Sequence, residues 1–170
     1  PELAIGSYGY LPNDRRHSLK LFGNYELTDE WSVGANLLVQ SGRPINCFGF
    51  LGGSNTSRYG NSYFSCDPQD PFIDEEVDGS GNNGNTVVPR GSSGRLPWTT
   101  SLDMNVAYHP SWMEGLQFKV DVFNVLNSRD AVSVNEFGED AGGFPQPTTY
   151  KMATGWQQPR SVRFMVQYDF

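Results

Sequence analysis

Five stretches of the chain alternate apolar and polar residues with a period of two. In the first, His17 to Leu27, one side carries Leu19, Leu21, Tyr25 and Leu27, and the other carries Ser18, Lys20, Asn24 and Glu26. The second runs from Trp31 to about Gln40. There Trp31, Val33, Ala35, Leu37 and Val39 oppose Ser32, Gly34, Asn36 and Gln40. In the third, Leu102, Met104, Val106 and Tyr108 alternate with Ser101, Asp103 and Asn105. In the fourth, Leu116, Phe118, Val120 and Val122 alternate with Gln117, Lys119 and Asp121. The fifth ends the chain, and its start is placed as early as Tyr150. It sets Val162, Phe164, Val166, Tyr168 and Phe170 against Ser161, Arg163, Gln167 and Asp169, with only Met165 as an apolar intruder. Side chains point alternately to the two faces of a strand, so the pattern predicts five strands with one apolar and one polar face each.

The connections alternate in length. Thr28-Asp29-Glu30 joins the first pair, and His109 to Gly115 joins the third strand to the fourth. The other two connections are long, from Ser41 to Thr100 and from Asn127 to about Thr149. Loops beyond about 12–15 residues are uncommon inside compact domains. Short turns alternating with long loops are the habit of bacterial outer-membrane barrels, whose short turns are periplasmic. On that pattern residues 41–100 form a long extracellular loop, and the last strand runs inward to a periplasmic C-terminus. Trp31, Tyr108, Trp112, Tyr168 and Phe170 gather near the short-turn ends, where a barrel places an aromatic girdle. Leu19, Leu21, Val33, Leu37, Met104, Val106, Phe118, Val120, Phe164 and Val166 are then expected to face lipid. Lys20, Asn36, Asp103, Lys119, Asp121 and Arg163 are expected to face the lumen. The competing fold is a soluble sandwich whose apolar faces meet each other. It predicts shorter loops and has no use for an apolar final strand.

Composition narrows the choice. No apolar run approaches the roughly 20 residues of a spanning helix, and no signal-peptide core is visible. A barrel is untouched by that, because each of its strands shows only a weak alternating signal. The net charge of −7 sets nucleic-acid binding aside. The chain opens on Pro1 without an export signal, so it is expected to be a piece of a longer polypeptide.

Certain motifs are more specific. Phe118-Lys119-Val120-Asp121-Val122-Phe123-Asn124-Val125-Leu126-Asn127 resembles the penultimate-strand signature of TonB-dependent outer-membrane transporters, an alternating strand leading into aromatic-Asn-x-x-Asn. Pro159-Arg160-Ser161-Val162-Arg163-Phe164, continuing to Tyr168-Asp169-Phe170, resembles that family's last strand with its terminal Phe. Asn13-Asp14-Arg15-Arg16-His17 and Gly94-Arg95-Leu96-Pro97-Trp98, each ahead of a strand, resemble the Oar-like subgroup. The resemblance implies an all-β fold over residues 1–170, namely the last five or so antiparallel strands of a 22-stranded transmembrane barrel with a plugged lumen. Five strands cannot close such a barrel, and lipid does not tolerate open edges. The resemblance therefore implies the rest of the same barrel, its plug domain and the TonB energy-coupling complex as partners. It also implies the barrel-assembly machinery, outer-membrane lipid and surface-exposed proteins.

Candidate functional residues follow. The terminal strand resembles the signal read by the assembly machinery, which works by strand addition at an exposed edge. Val162, Phe164, Val166, Tyr168 and Phe170 would carry that signal and close the barrel. Cys47 and Cys66, an even pair in an exported protein, are expected to form a disulfide. Asp74, Glu76 and Asp78 precede Gly79 with the opening spacing of a calcium loop. They depart from it at Glu76 and at Asn85, and no helical pattern flanks them, so an ordinary solvated acidic loop is the favoured reading. His17 and His109 lie on separate segments without metal-type neighbours, and no catalytic motif is visible. The resemblance to TonB-dependent transporters implies import of a bulky nutrient rather than an enzymatic reaction. A membrane anchor or platform for a surface complex is the alternative, and a soluble β binding module stands behind both.

Overall fold

The computed structural model describes residues 7–49, 88–138 and 148–170. These contain seven strands: β1 (Ser18–Glu26), β2 (Trp31–Gln40), β3 (Thr99–Tyr108), β4 (Leu116–Phe123), β5 (Ala131–Val134), β6 (Ala153–Trp156) and β7 (Ser161–Tyr168). No helix occurs among the described residues. The long strands form one antiparallel sheet in the order β1-β2-β3-β4-β7, and β5 pairs with β6 in a separate two-stranded sheet.

The chain divides into two compact units. Arg16–Ser41, Pro97–Asp130 and Trp156–Phe170 hold the five-stranded sheet; Pro1–Arg15, Gly42–Leu96 and Ala131–Gly155 make the other unit. Within the latter, Pro44, Ile45, Cys47 and Leu96 are buried. Gly42 is required there, because a Cβ on it would sit 1.6 Å from the Leu96 carbonyl oxygen.

The β5–β6 pair corrects the sequence reading, which left 127–149 as loop and began the last strand near Tyr150. Both strands have four residues, too few to show a period above their surroundings. Pro159 lacks the backbone donor that a continuous strand would need, so the chain breaks between β6 and β7. The last strand also stops at Tyr168, and Phe170 lies beyond the ladder, fully exposed.

The register carries the alternation across the whole sheet. Tyr25, Val33, Val106, Val120 and Phe164 are successive partners on one face, as are Gly23, Ala35, Met104, Val122 and Val162. On the other face Asn24, Gly34, Asn105, Asp121 and Arg163 follow one another, then Glu26, Ser32, Ala107, Lys119 and Met165. A slip of one residue anywhere would have mixed the two sets.

Candidate functional site

Burial in the five-stranded sheet is inverted relative to a water-soluble protein. On the apolar face Leu21 is 55% exposed, Met104 44%, Phe164 78% and Val166 65%. The buried groups are on the polar face, where Ala107 and Asp121 are only 3% and 6% exposed. An apolar surface that continues across five strands is far from the scattered apolar residues of an ordinary surface. Strands of eight to ten residues match the roughly 9–11 needed to cross a bilayer at a tilt.

One end of this face is aromatic. Trp31 and Tyr108 are partners across the ladder with ring centroids 4.5 Å apart, and Tyr108 stacks on Phe118 at 6.4 Å. Tyr168 meets Phe170 edge-on at 5.6 Å. All of these lie at the end served by the short connections, where the turns also bond to each other. The Glu30 carbonyl accepts from His109 N at 2.7 Å, and its carboxylate accepts from Ser111 N at 3.1 Å. The Ser111 hydroxyl and amide hold the Glu30 carboxyl below its ordinary range.

The polar face centres on Asp121. Its Oδ2 accepts from Arg163 Nε at 3.0 Å and Nη2 at 2.9 Å, and Lys119 Nζ lies 3.3 Å from Oδ1. Two cations thus satisfy a buried carboxylate that would otherwise be costly. Gly34 leaves the space that Asn105 occupies, since a Cβ there would come within 2.5 Å of Asn105 Nδ2. Toward the short turns this face forms a cavity of about 500 Å³, lined by Asn24, Glu26, Asn105, Gln117 and Lys119 among others. Phe22 is one of several apolar residues on this face, with Leu38, Phe123 and Met165, and is 85% exposed beside Asn36.

The aromatic-Asn-x-x-Asn motif ends β4. Asn124 and Asn127 both adopt left-handed backbone, with φ of 49° and 51°; asparagine tolerates this better than most residues. The first turn of chain after the strand is thereby reversed, and Val125 N returns to the Leu102 carbonyl at 2.7 Å. Asn124 is buried and uses its whole side chain. Its Nδ2 donates to the carbonyls of Ser128 at 3.0 Å and Gln158 at 2.8 Å, while Oδ1 accepts from Ser128 N at 3.0 Å. Asn127 Oδ1 accepts from Arg160 N at 3.3 Å.

The two motifs ahead of β1 and β3 also meet. Arg95 ion-pairs with Asp14 and donates to the Gly42 carbonyl at 3.0 Å, with its guanidinium over the Tyr10 ring at 5.2 Å. His17 stacks on Trp98 at 5.8 Å. Sequence reading noticed both motifs and missed that they contact each other. It also missed Glu136, whose two oxygens are held by Arg43 and by Asn46 Nδ2, the latter at 2.6 Å. Burial pushes the phenol of neighbouring Tyr150 up, and its hydroxyl donates to the Asn46 carbonyl at 3.2 Å.

Of the candidate site residues, Val162, Phe164, Val166 and Tyr168 share the exposed face of β7, an outer strand of the sheet. Phe170 follows them outside the ladder. Cys47 is buried; Cys66, Asp74, Glu76 and Asp78 lie outside the described residues.

The chain is 26% identical, over 209 aligned residues, to the TonB-dependent transporter Oar of Myxococcus xanthus; the match covers 99% of this chain. The chain spans only 17% of that protein's length. No family model matches the sequence, and no solved structure matches it.

Proposed function

We propose that this chain is a section of the membrane barrel of a TonB-dependent outer-membrane transporter. The observation that carries the reading is the inverted burial of the five-stranded sheet. Its apolar side chains are exposed or half-buried in register on every strand, and its buried carboxylate is on the polar side. Hydrocarbon is the one surrounding in which that face needs no protein cover, and a wet lumen suits the other. The similarity to a TonB-dependent transporter points the same way. In this reading the remaining strands of the barrel pair with β1 and β7, and a plug fills the lumen. The energy-coupling complex acts through parts of the polypeptide outside this chain, and the cargo is a bulky nutrient. The short turns face the periplasm and 41–100 faces outward, tied by a Cys47–Cys66 bridge that peptide mapping without reduction would reveal. The terminal strand closes the barrel and is read during assembly.

The test is a label scan of the complete membrane-inserted protein, with Cys47 and Cys66 replaced by Ser. Nitroxides at Leu21, Val106, Val120 and Phe164 should relax with oxygen, which concentrates in lipid. Labels at Asn36, Asn105 and Gln117 should respond to a water-soluble nickel complex. Equal response at both sets, or protection of the apolar set from both reagents, overturns the reading.

A further inference from the structure

Alternation fixes the register of a strand only up to steps of two residues. A one-residue slip of β7 would turn its aromatic side chains to the polar face. A two-residue slip keeps every side chain on its own face, so the apolar pattern cannot oppose it. Backbone pairing cannot oppose it either, because each residue offers the same donor and acceptor. Even the bond from Asp169 N to the Gly115 carbonyl, at 3.0 Å, is available to whichever residue arrives there. What selects the observed register must be a side chain on one strand that recognises one place on the other.

We propose that Asn124 and Asn127 are positioning residues that set the register of the terminal strand, a role that rests on the barrel reading above. Both lie just past the end of β4, and their partners lie just before the start of β7. Asn124 Nδ2 reaches the Gln158 carbonyl at 2.8 Å and Asn127 Oδ1 receives Arg160 N at 3.3 Å, immediately ahead of the first ladder pair, Phe123 with Ser161. The clasp is anchored to the sheet on its other side. Asp103 Oδ1 accepts from Asn124 N at 2.8 Å, and Gln157 Nε2 donates to the Thr100 carbonyl at 3.0 Å, so β3 holds both arms. A two-residue slip moves β7 by about 7 Å along its partner. The turn before it, fixed by Pro159 and by these bonds, would have to lengthen or collapse to follow. In one direction the slip also sets Arg163 opposite Lys119 instead of Asp121, placing two cations together. Left-handed backbone at 124 and 127 aims both amides at the incoming segment, which explains why asparagine, tolerant of that conformation, occupies both positions.

Register is read directly by cysteine pairs in the complete protein lacking Cys47 and Cys66. Val122→Cys with Val162→Cys reports the observed pairing; Val122→Cys with Phe164→Cys and Val120→Cys with Val162→Cys report slips of two residues. Replacing both Asn124 and Asn127 by Gly keeps the backbone freedom and removes the clasp. In membrane-inserted protein, or in protein refolded into detergent where insertion fails, this should raise the slipped cross-links several-fold over the parent. Asn127→Asp keeps the acceptor and should keep the register, as should Arg163→Gln, which leaves the clasp intact. A doubly substituted protein that cross-links only through 122 and 162 overturns the proposal, and so does equal slippage in Arg163→Gln. Absence of the 122–162 cross-link in the parent itself would count against the sheet and the barrel reading instead.

Discussion

Asp121 and Glu30 show how the same side-chain chemistry serves two ends of the sheet. Asp121 is buried between Arg163 and Lys119 and joins β4 to β7 on the polar face. Glu30 is half-buried and joins two turns through Ser111 and His109. Its carboxyl is held below the ordinary range because the Ser111 hydroxyl and amide favour the charged form. A depressed value in the folded state means that the link contributes fully above the ordinary carboxylate range. It is lost as pH falls through the lowered folded value. The Ser111 amide resonance should therefore titrate with a midpoint below that of a free glutamate, and the titration should vanish in Glu30→Gln. A midpoint at or above the ordinary range would show that the two turns are not held by this carboxylate.

At the scale of the strand, the two faces should respond unequally to charge. Phe164 sits mid-strand on the apolar face of β7, and Val120 is its partner on β4. Under the proposed barrel reading, arginine at either position places a charge in hydrocarbon, at a cost of about 2–4 kcal/mol near the midplane. The neighbouring Met165, on the polar face opposite Lys119, should accept glutamate far more easily, because it gains a cation and stays wet. Denaturant titrations of the complete protein in detergent or liposomes would show the contrast. Equal losses at Phe164 and Met165 would mean that both faces are packed against protein.

For the whole molecule, the proposed assembly role of Phe170 separates assembly from stability. Phe170 makes no ladder contact and lies fully exposed, touching Tyr168 edge-on. Deleting it should leave the unfolding midpoint of assembled protein nearly unchanged, since little is buried. Under the proposed role in assembly, the amount of heat-modifiable, membrane-inserted protein should nevertheless fall. Replacing Phe164 and Tyr168 together by Ser should lower it as well. Equal insertion with and without Phe170 would reduce the apolar ending to a plain lipid-facing strand.

The sequence by itself determined the five long strands, the bounds of the first four to within about two residues, and which side chains share a face; the start of the fifth it placed too early. A period of two is a local property of the chain and survives in any strand pairing. It also marked the short turns, because the breaks in the period are visible directly. The tertiary structure decided what joins what. It paired Ala153–Trp156 with Ala131–Val134, since four-residue strands carry no readable period. It brought Asp14 to Arg95 and His17 to Trp98 across a long stretch of chain. It gave Asn124 and Asn127 their partners on the far side of β5 and β6. Such contacts depend on where distant backbone atoms come to rest, and no local pattern encodes that. Alternation chooses a face, while single polar side chains choose a register.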